Sequence, residues 1–107
     1  MANERIGLTA VTFVSHRTAV DEPGYLAASA QMEALAATQP GYRGSESARG
    51  SDGCGITISY WADDAAARAW RDQPDHAAIR EMGRTRWYDD YTLTVATVTR
   101  AYRWARD

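Results

Sequence analysis

The chain is 107 residues long with a formal charge of −2, and its 12 cationic side chains are all arginine. That length suits one domain, and the slight acidity excludes the positive field that non-specific nucleic-acid binding needs. Alanine supplies 20 residues and Trp with Tyr ten, against 14 of Ile, Leu, Val and Phe together, so alanine and polar-tipped aromatics must build the core.

Leu8 to Ser15 is rich in β-branched residues and reads as a first strand, apolar on both faces. Asp21-Glu22-Pro23 reads as a helix start: an acidic cap, an acidic first turn and a proline whose missing N–H costs nothing there. This helix runs to about Thr38, with Tyr25, Ala28, Met32, Leu35 and Ala36 as its buried stripe, and Gln39-Pro40-Gly41 stops it. Tyr42 to Arg49 reads as a polar strand near an edge, and Gly50-Ser51-Asp52-Gly53 as a hairpin turn. In the strand that follows, Ile56, Ile58 and Tyr60 share one face while Thr57, Ser59 and Trp61 share the other. Asp63 caps a helix through about Asp72, with Asp64 placed to pair with Arg68 one turn on. Pro74 breaks it, and a further helix covers about Asp75 to Gly83. Trp87 to Tyr91 leads into a last strand from Thr92 to about Tyr102.

The order strand, helix, strand, strand, helix, strand is the ferredoxin-like βαββαβ pattern of the α+β class. It predicts a four-stranded antiparallel sheet with helices on one face. One domain then spans 1–107, with 1–7 and 105–107 as tails. The first and last strands are apolar on both faces, so the uncovered face of the sheet needs a partner, and a second copy packed sheet to sheet is the simplest one.

Particular residues placed on this order resemble the antibiotic biosynthesis monooxygenase superfamily, the dimeric α+β barrels. They are Tyr60-Trp61-Ala62-Asp63-Asp64 at the third strand's exit, Trp70 near the end of the next helix and Asp75-His76 opening the one after. Gly83-Arg84, Trp87-Tyr88, Tyr91 and Tyr102-Arg103-Trp104 extend the match, and Ala10 to Phe13 with Pro40-Gly41-Tyr42 fit its first half. The resemblance implies a homodimer whose sheets close into a barrel, with a pocket between helices and sheet in each subunit. It also implies a cofactor-independent monooxygenase that oxidises a flat aromatic or polyketide-like molecule with O2. Heme-binding and heme-degrading relatives, and non-catalytic ligand-binding modules, are the alternatives.

Cofactor-free oxygenation needs a base to make an electron-rich anion, groups to stabilise that anion, and exclusion of water. His76 is the candidate base and Trp70 its candidate catalytic partner, on adjacent helices with Pro74 between them. Each also has a structural reading, His76 as a helix-start cap and Trp70 as core. Tyr60, Tyr88 and Tyr91 are candidate hydroxyl donors to substrate, and equally candidates for an aromatic core. Arg80 and Arg84 follow His76 by four and eight residues and would form one cationic stripe if the helix persists, either for an anionic substrate or as a solvated face. His16, at the first strand's exit, is a further candidate for substrate binding. Heme-degrading relatives carry an asparagine on the first strand; here that strand ends Ser15-His16-Arg17, and the sole asparagine is Asn3.

Several functions are disfavoured by the residues present. Lone Cys54 makes no intrachain disulfide, and two histidines make no zinc framework, so no metal site is expected. The glycine-rich Gly50 to Gly55 run joins two strands, whereas a phosphate-cradling loop leads from a strand into a helix. No apolar window approaches the roughly 20 residues that span a bilayer. Met1 to Arg5 lacks a basic stretch followed by an apolar run, so no secretory signal is expected and the cytoplasm is the expected compartment.

Overall fold

Seven regular elements follow one another in a computed structural model that describes residues 2–107. They are β1 (Thr9–Arg17), α1 (Glu22–Ala36), β2 (Tyr42–Arg49), β3 (Cys54–Trp61), α2 (Asp64–Asp72), α3 (Pro74–Met82) and β4 (Tyr88–Thr97). A short 3-10 turn, Ala2–Arg5, precedes them, and a π-helical turn, Gly83–Trp87, joins α3 to β4. This is the ferredoxin-like order, with the second helix divided at Pro74. The sheet runs β2-β3-β1-β4 and every pairing is antiparallel. No helix among the described residues is long and apolar enough to cross a membrane.

The local signals act where the sequence places them. Asp21 caps α1 by accepting from Gly24 N–H, and Asp63 caps α2 by accepting from Ala66 N–H at 2.8 Å. Asp64 pairs with Arg68 at 2.7 Å. Gly53 adopts a φ of 87°, the left-handed conformation that closes the β2–β3 hairpin.

Residues paired across a ladder share a face, so the register sorts the sheet. Thr9, Val11, Phe13 and Ser15 lie with Trp61, Ser59, Thr57 and Gly55 on one face. Trp61 packs there against Ala36 of α1 and Ala67 of α2, so this is the helix-covered face. Ala10, Thr12 and Val14 lie with Tyr60, Ile58 and Ile56 on the opposite face, continued on β4 by Ala96, Thr94 and Thr92. That face sets Ala, Val and Ile side chains among threonines, and Ile56 on it is 44% exposed. Among the described residues the buried apolar ones are Ala28, Ala36, Tyr60, Trp61, Ala67 and Trp87, the alanine and aromatic core that the composition requires.

Two expectations need correction. The last strand begins at Tyr88 and ends at Thr97, not at Tyr102. Its partner β1 begins at Thr9; Val98 makes one more pair of backbone bonds with Leu8 and Gly7, and no strand lies beyond to extend the ladder. Residues 98–107 therefore leave the sheet without regular structure, Tyr102 88% and Trp104 72% exposed. Trp87, in the aromatic lead-in to the last strand, is only 3% exposed and belongs to the core. The stripe of His76, Arg80 and Arg84 does not lie on one α-helix, because α3 ends at Met82 and Arg84 sits in the π-helical turn.

Candidate functional site

The junction of α2 and α3 folds back on itself. Gln73 ends α2 and caps α3, its side-chain oxygen accepting from His76 N–H at 2.8 Å, while Pro74 supplies the first helical residue. This turn lays the His76 imidazole on the Trp70 indole, ring centres 4.0 Å apart and planes 8° from parallel. Trp70 in turn stacks on Trp61 at 6.0 Å and 23°, and Tyr42 meets Trp61 edge-on at 5.6 Å. Trp61 is fully buried and donates its indole N–H to Ser59 Oγ at 2.9 Å. The four rings form a ladder from β2 to α3 that fixes where His76 stands.

The imidazole has a defined proton state. His76 Nδ1 lies 2.8 Å from the Trp70 carbonyl oxygen, which only accepts, so Nδ1 carries the hydrogen. In the neutral ring Nε2 then keeps its lone pair. Burial pushes the His76 pKa below its usual 6.5, with the Arg80 charge adding to the effect and the Trp70 carbonyl opposing it. At neutral pH the ring is therefore an uncharged base. A cleft of about 250 Å³ opens beside Trp70, lined by the Gln39–Gly41 turn, Ala62, Asp63, Ala66, Ala69 and Trp70. His76 is not among its lining residues.

The other residues singled out by sequence fall in three places. Arg80 shares α3 with His76 and donates to the Arg71 carbonyl at 2.9 Å, tying α3 to α2. Tyr60 lies on the opposite face of the sheet, where its hydroxyl accepts from Arg5 at 3.2 Å and the Arg5 guanidinium covers its ring. His16 lies on that face too, 2.7 Å from Asp90, whose hydrogen bond and charge raise the histidine's pKa. Arg84 donates to the Tyr91 hydroxyl at 2.6 Å and pairs with Glu81 at 3.5 Å. Tyr88 packs among Phe13, Tyr25 and Tyr91, and burial raises its hydroxyl pKa, with Tyr25 adding. Trp70, His76 and Arg80 are thus brought together. Tyr60 and His16 are turned away from them by strand alternation.

A second cluster occupies the far end of the helix-covered face. Thr9, opposite Trp61, and Ser15, opposite Gly55, are six residues apart on β1, about 20 Å at the usual rise of a strand. Around Ser15 gather Arg17, Arg49, Tyr25, Trp87 and Tyr88. Spacing alone does not single out these arginines. The signal lies in the hairpin register, which sets Arg49 opposite Gly55 and Gly55 opposite Ser15. Among the described residues no three of His, Cys, Asp and Glu gather as metal ligands would.

The sequence profile of the antibiotic biosynthesis monooxygenase family matches residues 21–82. The chain is 45% identical over 91 residues to an uncharacterised protein, YqjZ, of Bacillus subtilis, covering 85% of this chain and 79% of that protein. Its fold is similar to that of Rv0793 from Mycobacterium tuberculosis, with a TM-score of 0.74 at 14% identity over 84% of this chain and 93% of that one. It is also similar to SnoaB, a cofactor-independent oxygenase from Streptomyces nogalater, with a TM-score of 0.65 at 22% identity over 85% and 93% of the two chains.

Proposed function

The chain belongs to the antibiotic biosynthesis monooxygenase family, and from that premise we propose that it is a cofactor-independent small-molecule monooxygenase acting on a flat phenolic or polyketide-like substrate. The observation that carries this reading is the His76 imidazole, stacked on Trp70, tied through Nδ1 and left with a basic Nε2. His76 takes a proton from an acidic C–H or O–H of the substrate, and the resulting enolate or phenolate is the reductant. Electron transfer to O2 and recombination form a C–O bond to a peroxide. The imidazolium returns the proton to the distal oxygen, and loss of water leaves a carbonyl. A CH2 group becomes C=O, one oxygen atom enters the product, the other leaves as water, and all four electrons come from the substrate. Arg80, one turn from His76, supplies positive charge beside the developing anion. In this reading two copies pack through the open sheet faces.

The arrangement does not fit heme well. Nε2 of His76 would be the iron ligand, yet His76 does not line the apolar cleft beside Trp70. That same separation favours one second reading, a non-catalytic module that binds a small apolar ligand in the cleft. Oxygen uptake with a panel of tricyclic phenols and anthrone-type ketones separates the two. The oxygenase consumes O2 with at least one of them, and His76→Ala lowers turnover by about 100-fold or more. Binding without oxygen uptake across the panel, or full turnover in His76→Ala, overturns the assignment of the base.

A further inference from the structure

The second cluster is short of acceptors. Arg17 is an arginine at a strand end whose side chain is only 4% exposed. Its guanidinium carbon lies over the Tyr25 ring, 3.6 Å from the ring centre. Nε donates to the Trp87 carbonyl at 3.2 Å, and Nη1 reaches the exposed Glu22 carboxylate at 3.3 Å. Nη2 is buried with no protein acceptor, and so is Nε1 of Trp87, the neighbouring residue in the same cluster. A buried donor left without an acceptor is costly, and here two of them belong to residues that touch.

Charge is unbalanced in the same direction. Arg49 donates to the Gly53 carbonyl at 2.6 Å, to Ser15 Oγ at 3.3 Å and to the Tyr25 hydroxyl at 3.0 Å, all neutral acceptors. Two guanidinium groups thus flank Tyr25, and among the described residues the one carboxylate paired with either is that of Glu22, on Arg17 and itself 59% exposed. What is missing is an acceptor with one negative charge, and a carboxylate supplies two oxygens to guanidinium forks. The walls are aromatic: Tyr25 crosses Trp87 at 77° and Tyr88 at 88°, with ring centres 6.0 Å apart in both pairs. A ring attached to the carboxylate would use them, and a bare inorganic anion would not. Arg49 is exposed, so the cluster meets solvent on its side.

We propose that this cluster is a binding site for a small aromatic carboxylate, held by Arg17 and Arg49 against the rings of Tyr25, Trp87 and Tyr88. It stands apart from His76 and does not depend on the oxygenase reading. Benzoate is the probe, with benzamide and inorganic phosphate as comparisons, followed through the indole N–H resonances of the intact protein and by calorimetry. Benzoate should move the Trp87 indole N–H saturably, benzamide and phosphate should bind about tenfold more weakly or not at all, and Arg49→Met should cost about tenfold in affinity. Arg17→Met should abolish binding. If that variant does not fold, Arg49→Met, altered only at the exposed rim, decides alone. His76→Ala and Arg103→Met should bind as the unaltered protein does, which separates failure here from failure of the proposed base. The absence of a saturable shift, equal binding of benzamide or phosphate, or unchanged affinity in Arg49→Met overturns the site.

Discussion

The two histidines answer to opposite causes, and each gives a sign to pH dependence. His76 has its pKa lowered, chiefly by burial, so between that value and 6.5 the unfolded chain binds more protons than the folded one. Its contribution to stability is present above 6.5 and is lost as pH falls through the folded value. Its catalytic contribution follows the same course, because only the neutral ring is a base. His16 is held protonated by Asp90, so its contribution is present below 6.5 and is lost as pH rises through its raised value; being exposed, it counts for little. Proton NMR titration of the two Cε1–H resonances should place one midpoint below 6.5 and the other above it. Any oxygenase turnover should lose its acid limb at the lower of the two. A His76 midpoint at or above 6.5 contradicts the buried, Nδ1-tied ring.

The helices came through from sequence with their ends nearly intact, because capping is local. Asp21, Asp63 and the Gln73-Pro74 step each act within three residues of where they stand. Trp70 and His76 meet for the same reason, since one tight turn joins them. Tyr60 shows where local reading stops. Strand alternation sets Tyr60 and Trp61 on opposite faces, but only the helices' docking decides which of the two looks toward His76. Arg17 and Arg49 were beyond reach altogether, because their shared neighbours, Tyr25 and Ser15, arrive through sheet register and helix packing. The π-helical turn is similarly non-local. Gly83 is buried at its start, and a Cβ there would lie 2.8 Å from the Tyr88 ring. Gly→Ala in a helix normally stabilises by about 1 kcal/mol. Here the Tyr88 ring packs against Phe13, Tyr25 and Tyr91, so making way for the new methyl disturbs that cluster and Gly83→Ala should instead destabilise by about 1–2 kcal/mol in urea unfolding. A stabilised variant would mean that the ring cluster gives way easily.

At the scale of the whole molecule the sheet keeps apolar surface that its own helices leave open. Trp61 and its alanine neighbours fill the β3 side of the helix-covered face, where Leu93 and Val95 at the β4 edge stay about half exposed, and among the described residues no helix packs on Val14, Ile56 and Ile58 of the other face. If two copies meet there, as proposed, Ile58→Lys should convert a species of twice the chain mass into one of single mass in light scattering at micromolar concentration, with the far-ultraviolet circular dichroism unchanged. A single-chain mass for the unaltered protein would remove the dimer.

The arm after Thr97 gives the protein a built-in optical reporter. Trp61 and Trp87 are sealed in the core and Trp70 is half-buried, whereas Trp104 is 72% exposed, so the red edge of the emission belongs mainly to one residue. In a chain without lysine, trypsin can cut only after arginine, and Arg100 and Arg103 stand exposed just ahead of that tryptophan. A brief digestion should shift the emission of the remaining body to shorter wavelength while the helices stay whole. The rate of that shift, compared between dilute and concentrated protein, would time how long the arm spends covered by another molecule.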